Sequence, residues 1–126
     1  MKVDVRDLLG SVGAIKTLAA RVGLPDGPTL VEVADQDRFA TSLDAAMRAF
    51  QQLRPGTKTL VSAEVSVYRK EVWIRFLQNG SREDRDGEVE ESLAASFNSL
   101  RAVLKRNRGD LHYWGGNNYF DVSFPY

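Results

Sequence analysis

Two alternating apolar runs in the middle of the chain constrain its fold more than any other feature. In residues 59–68, and again in residues 72–77, every second residue is apolar. A period of two is the pattern of a strand that buries one face of a sheet. Only Arg69, Lys70 and Glu71 separate the runs, and so short a link joins neighbouring antiparallel strands. The sequence therefore predicts a β-hairpin with one buried face.

Apolar residues three and four positions apart predict helices on either side of this hairpin. The first helix is predicted to begin at Asp7 and to carry apolar residues as far as Val22. A second is predicted to follow an N-cap at Asp35 or Asp37. A long third helix is predicted over residues 88–106, where acidic first turns and basic last turns complement the helix dipole.

The remaining segments with strand character complete the expected fold. Residues 3–5 are a short extended piece, and residues 29–34 alternate like a strand. After Gly109, which is predicted to stop the long helix, residues 110–114 and 119–124 form a second hairpin. About five strands and three helices in this order predict a two-layer α/β (α+β) sandwich. Its five-stranded sheet is mixed but mainly antiparallel, with the helices on one face.

Composition restricts the chemistry that the chain can support. Its 126 residues suit one domain over residues 1–126. It has no cysteine and one histidine, which excludes thiolate zinc sites, cysteine nucleophiles and multi-histidine metal sites. Basic and acidic residues number 17 each, which argues against nucleic-acid or anionic-membrane binding. With no signal peptide and no apolar run long enough to span a bilayer, we expect a cytoplasmic protein.

The order helix, strand, helix, hairpin, loop, helix, hairpin resembles the ATP-binding catalytic domain of sensor histidine kinases. Residues 33–50 (VADQDRFATSLDAAMRAF) are similar to the family's segment that enters the first nucleotide helix. Residues 66–80 are similar to its central hairpin, and residues 91–126 resemble its last helix and terminal hairpin. The resemblance covers most of the chain and implies the Bergerat-type (GHKL) fold.

The chain departs from this family at the positions that bind nucleotide. The asparagines that hold magnesium and phosphates fall at Ala45 and Ala49, and alanine has no oxygen to coordinate a cation. The carboxylate that accepts the adenine amino group falls at Gln78, although Gly80 remains. The glycines that cradle phosphate are replaced by a stretch that contains Ser92 and two carboxylates.

The loop before the last helix also departs from the family. Only about eight residues follow Gly80 before that helix, too few for a lid over ATP. Together these departures imply a domain that takes no cofactor and no metal and is not an enzyme.

The period of two also assigns the residues on the other side of the sheet. If the apolar side chains face the helices, the opposite face carries Tyr68, Trp73, Arg75, His112, Trp114 and Tyr119. Trp, Tyr and Arg are typical of protein interfaces, so we interpret this set as a candidate partner-binding surface. His112 is interpreted as a surface strand residue, not as a phosphotransfer residue.

The resemblance implies a non-catalytic histidine-kinase-like domain that serves as a protein-interaction module in bacterial two-component signalling. Its partner would be a response regulator, a kinase or another signalling protein. Two alternatives stay open. One is a small ATP-binding serine/histidine protein kinase of the anti-sigma-factor type, which nucleotide binding would favour. The other is a structural homodimer subunit that uses the aromatic sheet face, which a concentration-dependent size would favour.

Overall fold

A computed structural model describes residues 2–13, 15, 21–24, 26–51, 60–78, 87–113 and 119–125. Its elements are, in chain order, β1 (Lys2–Asp4), α1 (Val5–Gly10), β2 (Arg21–Gly23), β3 (Leu30–Glu32), α2 (Gln36–Gln51), β4 (Leu60–Tyr68), β5 (Glu71–Gln78), α3 (Gly87–Arg106), β6 (Asp110–His112) and β7 (Tyr119–Pro125). The long helices and the two hairpins occur in the predicted order.

The main sheet has five strands in the order β2-β4-β5-β7-β6. Its neighbours are antiparallel except for β2 and β4, which are parallel, so the predicted mixed and mainly antiparallel sheet is confirmed. Its membership differs from the expectation in one strand. The alternating segment at residues 29–34 gives the shorter β3, which pairs with β1 in a separate two-stranded sheet. The fifth strand of the main sheet is β2.

The first helix begins and ends earlier than the sequence predicts. Asp4, not Asp7, is its N-cap, because the Asp4 carboxylate accepts a hydrogen bond from the backbone N–H of Arg6 at 3.0 Å. The helix α1 ends at Gly10. The prediction for Val22 was wrong, since this residue lies in β2 opposite Ala63. A strand of three residues is too short to show an alternating pattern of its own. Val22 was therefore assigned to the helix, because its position continues the helical spacing of the preceding apolar residues.

The second helix begins directly after Asp35, which is one of the two predicted N-caps. Asp35 accepts a hydrogen bond from the backbone N–H of Arg38 at 3.1 Å, which identifies Asp35 as the N-cap of α2. The predicted apolar positions of this helix are buried, namely Phe39, Leu43, Ala46, Met47 and Phe50. The period of three and four therefore located the buried face of α2 correctly.

The first hairpin turns over two residues, Arg69 and Lys70. Both have positive φ angles, 50° and 64°, as a type I′ turn requires, so Tyr68 lies opposite Glu71. This register sends alternate residues of β4 and β5 toward the helices. Val67 has the predicted parity but is 43% exposed, because it lies at the end of the sheet next to the turn.

Aromatic packing joins the helical layer to the sheet. The ring of Phe120 in β7 lies 5.1 Å from Phe50 of α2, 4.9 Å from Phe97 of α3 and 5.0 Å from Phe76 of β5. A second aromatic pair, Phe39 and Phe124, lies 5.4 Å apart. These contacts form the two-layer sandwich that the sequence predicts. Within the described ranges, no helix combines the length and apolar character needed to cross a membrane.

The end of α3 shows why a glycine follows it. The residue in the left-handed conformation is Arg108, with φ of 61°, and not Gly109. The N–H of Gly109 donates to the carbonyl of Leu104 at 2.8 Å and closes the last turn. A Cβ atom at Gly109 would collide with the carbonyl oxygen of Ser123. Gly109 therefore marks the helix end as predicted, but it does so because the chain passes close to β7.

The collision at Gly109 predicts a large effect of one added methyl group. Gly109→Ala should lower the free energy of unfolding by about 1–3 kcal/mol, because rigid backbone would have to move to admit the Cβ atom. Gly10→Ala is the matched control, since nothing lies within 4 Å of a Cβ atom there. Urea unfolding of both variants measures the difference. Equal stability of the two variants would contradict the close approach of Gly109 to the carbonyl oxygen of Ser123.

Candidate functional site

The face of the sheet that points away from the helices carries the predicted surface residues. The cross-strand register puts Glu64 opposite Arg75, Ser66 opposite Trp73 and Arg75 opposite Asp121. We call this surface the outer face, and its described side chains are those of Glu64, Ser66, Tyr68, Glu71, Trp73, Arg75, Leu77, Asp110, His112, Tyr119, Asp121 and Ser123. Five of the six predicted residues lie on it. The sixth, Trp114, lies outside the described residues.

A bidentate ion pair anchors one half of the outer face. Arg75 Nε and Nη2 donate to the two carboxylate oxygens of Asp121 at 2.9 and 3.1 Å. The side chain of Asp121 is only 7% exposed, whereas that of Arg75 is 49% exposed. These hydrogen bonds raise the pKa of Arg75 above its ordinary value. The guanidinium also lies 4.0 Å from the ring centre of Tyr119, so three side chains hold one another in place.

A stacked pair of rings anchors the other half. The rings of Trp73 and His112 lie 4.7 Å apart and nearly parallel. Trp73 Nε1 donates to the carboxylate of Glu71 at 3.0 Å, and His112 Nε2 lies 3.2 Å from Ser123 Oγ. Because each ring has a polar partner, neither would lose much conformational freedom on binding. This supports the interpretation of His112 as a strand residue with a structural environment.

Sequence reasoning missed the polar partners of this surface. Asp121 and Ser123 are buried on the outer face beneath Arg75 and His112. Their alternation within β7 was visible, but their partners depend on which strands lie side by side. That pairing connects residues 46 positions apart, so it is not a local signal in the sequence.

A groove runs over the outer face beside the aromatic residues. It encloses about 420 Å³ and is lined by Glu64, Val65, Ser66, Tyr68, Trp73, Arg75 and Asp121. Tyr68 is 63% exposed and forms part of its wall, with the guanidinium of Arg69 at 5.2 Å from its ring centre. Within the described ranges, no group of three or more potential ligands could hold a metal ion. The groove combines aromatic side chains with the Arg75–Asp121 ion pair.

The predicted nucleotide positions are only partly described. Ala45 is exposed on α2, and Ala49, one turn later, is 7% exposed. The backbone of Gln78 lies at the end of β5 opposite Leu60, and that of Ser92 lies within α3. Gly80 lies outside the described residues, as does the loop up to Gly87 that was predicted to be too short for a lid.

A cluster of charged side chains lies along the edge strand β6. Asp110 accepts a hydrogen bond from the backbone N–H of Leu111 at 2.8 Å and lies 3.2 Å from Lys105 and 3.7 Å from Arg101. Arg101 also donates to the carbonyl of Leu111 at 3.4 Å. Both backbone groups of Leu111 therefore have side-chain partners, which protects this edge from pairing with another strand.

The environment of Asp110 changes its acidity. Burial opposes its ionisation, but the hydrogen bond from Leu111 and the contact with Lys105 outweigh burial and lower the pKa of Asp110 below its ordinary value of 3.8. A lowered pKa means that the ionised group stabilises the folded state above about pH 3.8 and loses this contribution as the pH falls through the folded-state value.

Solved structures of histidine kinases match nearly the whole chain. The ATP-binding domain of PrrB from Mycobacterium tuberculosis has a TM-score of 0.64 at 18% identity, covering 97% of this chain and 93% of that one. The catalytic domain of the histidine kinase ThkA has a TM-score of 0.65 at 12% identity, covering 99% and 94%. The chain has the fold of a histidine-kinase ATP-binding domain. The family resemblance seen in the sequence is thereby confirmed at the level of the fold.

Other comparisons define how far the likeness extends. The histidine kinase AdeS from Acinetobacter baumannii has a TM-score of 0.64 at 11% identity, and the match covers 99% of this chain but 66% of that one. No protein-family model matches the sequence. No curated protein matches it either. The histidine-kinase fold is therefore visible in the structure at identities between 11% and 18%.

The ion cluster on β6 predicts a pH-dependent loss of stability. Asp110→Asn should lower the free energy of unfolding at pH 7 by roughly 0.5–1 kcal/mol, a small effect because the Asp110 side chain is 36% exposed and solvent screens its pairs. The difference from the parent chain should shrink as the pH falls from about 3.8, the ordinary pKa of the group, through the lower pKa of Asp110 in the folded state. Urea unfolding at pH 7 and pH 3 measures both values. A difference in the free energy of unfolding that grows on acidification would contradict the stabilising role assigned to the Asp110 carboxylate.

Proposed function

We propose that this domain is a non-catalytic, cytoplasmic histidine-kinase-like module that binds a signalling protein through the outer face of its sheet. The observation that carries the proposal is the pre-arranged set of aromatic and arginine side chains on that face. Trp73, Arg75 and Tyr119 are residue types that dominate the binding energy of interfaces. Each has a partner that fixes its orientation before binding, namely His112, Asp121 and Arg75.

The composition of the outer face supports a protein partner in preference to a small substrate. The groove of about 420 Å³ is open along the sheet and is bordered by Tyr68, whose ring is largely exposed. Arg75 of the groove is already paired with Asp121, so we expect a partner to bind mainly by aromatic contact and by hydrogen bonds at the rim.

Two residues at positions that bind nucleotide in the kinase family support the proposal that the domain is non-catalytic. In the kinase family that the chain resembles, asparagines stand where this chain has Ala45 and Ala49. A methyl group cannot coordinate a hard cation. The residue after Ala49 is Phe50, whose fully buried ring packs against Phe97 and Phe120. The end of α2 therefore contributes to the apolar core.

The matched structures suggest the class of partner. PrrB, ThkA, AdeS and QseC are histidine kinases or domains of them. A domain with this fold and without their chemistry would retain surfaces that suit a response regulator, a kinase or another signalling protein. Among these, a receiver domain of a response regulator is the partner that we would test first.

Replacement of Trp73 tests the surface directly. Trp73→Ser should weaken binding to purified receiver domains at least roughly tenfold, because it removes the stacked ring and the donor to Glu71. The matched control is Leu30→Ser, which removes a 47% exposed apolar side chain from β3, away from the main sheet. Calorimetric titration gives both affinities. An unchanged affinity in Trp73→Ser, with circular dichroism showing an intact fold, would rule out this face.

The homodimer and the kinase alternatives predict different results for the parent chain and the Trp73→Ser variant. A homodimer that uses the outer face would show a mass by light scattering that rises with concentration and falls in Trp73→Ser. A kinase of the anti-sigma-factor type would transfer phosphate from labelled ATP to a protein substrate. We expect a monomer in the first measurement and no transfer in the second.

A further inference from the structure

A second cavity lies at the end of α3 and shares no lining residue with the groove of the outer face. It encloses about 410 Å³ and is lined by Glu32, Ala34, Arg106, Asn107, Arg108 and Pro125. It lies where β3, the end of α3 and the end of β7 meet. Neither the histidine-kinase fold nor the proposed interaction surface gives it a role.

One lining residue of this cavity, Asn107, is buried and is hydrogen-bonded through both polar atoms of its side chain. Asn107 is 9% exposed. Its Oδ1 accepts a hydrogen bond from the backbone N–H of Ala34 at 2.7 Å, and its Nδ2 donates to the carbonyl of Val103 at 2.9 Å. This amide joins the segment after β3 to the last turn of α3. The protein's own hydrogen bonds therefore fix the orientation of this lining residue.

Two arginine residues line the cavity, and neither has a carboxylate partner within the described residues. Within the part of the chain that the structure describes, neither Arg106 nor Arg108 has a side-chain hydrogen bond or an ion pair. The neighbouring cations Arg101 and Lys105 both bind Asp110. Glu32 is the one acidic residue in the lining, and the register of β1 and β3 puts it opposite Lys2. No carboxylate among the described residues therefore neutralises the positive charge of the two arginines.

Arg108 occupies a position that suits another residue type better. Its φ of 61° is left-handed, a conformation that glycine and asparagine adopt at helix ends with less strain. A strained residue that also lines a cavity points to a role for its side chain. Here the residue supplies a guanidinium two positions from that of Arg106.

We infer that this cavity binds a phosphate group through Arg106 and Arg108. A guanidinium presents parallel N–H donors that match two phosphate oxygens, and two of them provide charge for a dianion. The phosphate could be the free ion or part of a small phosphorylated molecule that fills the rest of the cavity. Glu32 at the rim disfavours a larger negative charge. This inference does not depend on the proposed function.

Thermal unfolding of the full chain with added anions tests the inference. Inorganic phosphate and ribose 5-phosphate should each raise the melting temperature more than chloride does at equal ionic strength. Equal shifts would identify the free ion as sufficient, and a larger shift with ribose 5-phosphate would identify an organic phosphate. No shift beyond that of chloride with either probe would overturn the inference.

Variants of the cavity separate binding from stability. Arg106→Gln and Arg108→Gln should each weaken phosphate binding roughly tenfold. Arg108→Gly should raise the melting temperature in chloride, by relief of strain, and still lose the response to phosphate. Glu32→Gln should strengthen binding. Arg6→Gln, an exposed arginine of α1 outside the cavity, is the control and should respond as the parent does. A phosphate response that persists in both arginine variants would overturn the inference.

Discussion

The packing of three phenylalanine rings on Phe120 is the contact on which the rest of the structure depends. Phe50, Phe97 and Phe76 come from α2, α3 and β5, and each ring lies within 5.1 Å of Phe120. One side chain in β7 therefore holds both long helices against the sheet. Burial of aromatic surface on this scale stabilises a domain without help from a ligand. The rings that make this contact all belong to the chain itself.

This core determines what the other side of the sheet is free to do. Because alternate residues of β4, β5 and β7 supply the apolar layer, the residues between them do not have to be apolar. On the outer face they form the Arg75–Asp121 pair and the Trp73–His112 stack instead. Ion pairs at Asp110 close the edge at β6. One face thus provides stability, and the other carries an ordered surface that has no role in the core.

The sequence predicts those helices and strands in which the apolar pattern repeats over many residues. The central hairpin, α2 and α3 each span two or more periods, and the opposite face of the sheet followed from the same alternation. The three residues of β2 span less than one helical turn, so Val22 was assigned to a helix. The end of the long helix just before Gly109 was predicted correctly. The left-handed backbone of Arg108 was not predicted, because arginine is not a residue type that signals this conformation.

The surface was predicted less completely than the core. Trp73, Arg75 and Tyr119 were identified because a period of two assigns each residue of a strand to a face. Asp121 was missed as the partner of Arg75, since a cross-strand neighbour depends on sheet order and register. Glu71, the partner of Trp73 in the same strand, was missed because the sequence assigned it to the connection between the two strands. The departures at Ala45 and Ala49 were readable only by comparison with a family.

Calorimetric titration of the full chain with ATP and ADP, with and without magnesium, tests the central claim most directly. The account predicts no heat of binding at millimolar nucleotide, because Ala45 and Ala49 offer no ligand to magnesium and the apolar core is complete without one. The ATP-binding domain of PrrB, which has the same fold, is the positive control. Micromolar binding of magnesium-ATP by this chain would contradict the account and would favour the kinase alternative.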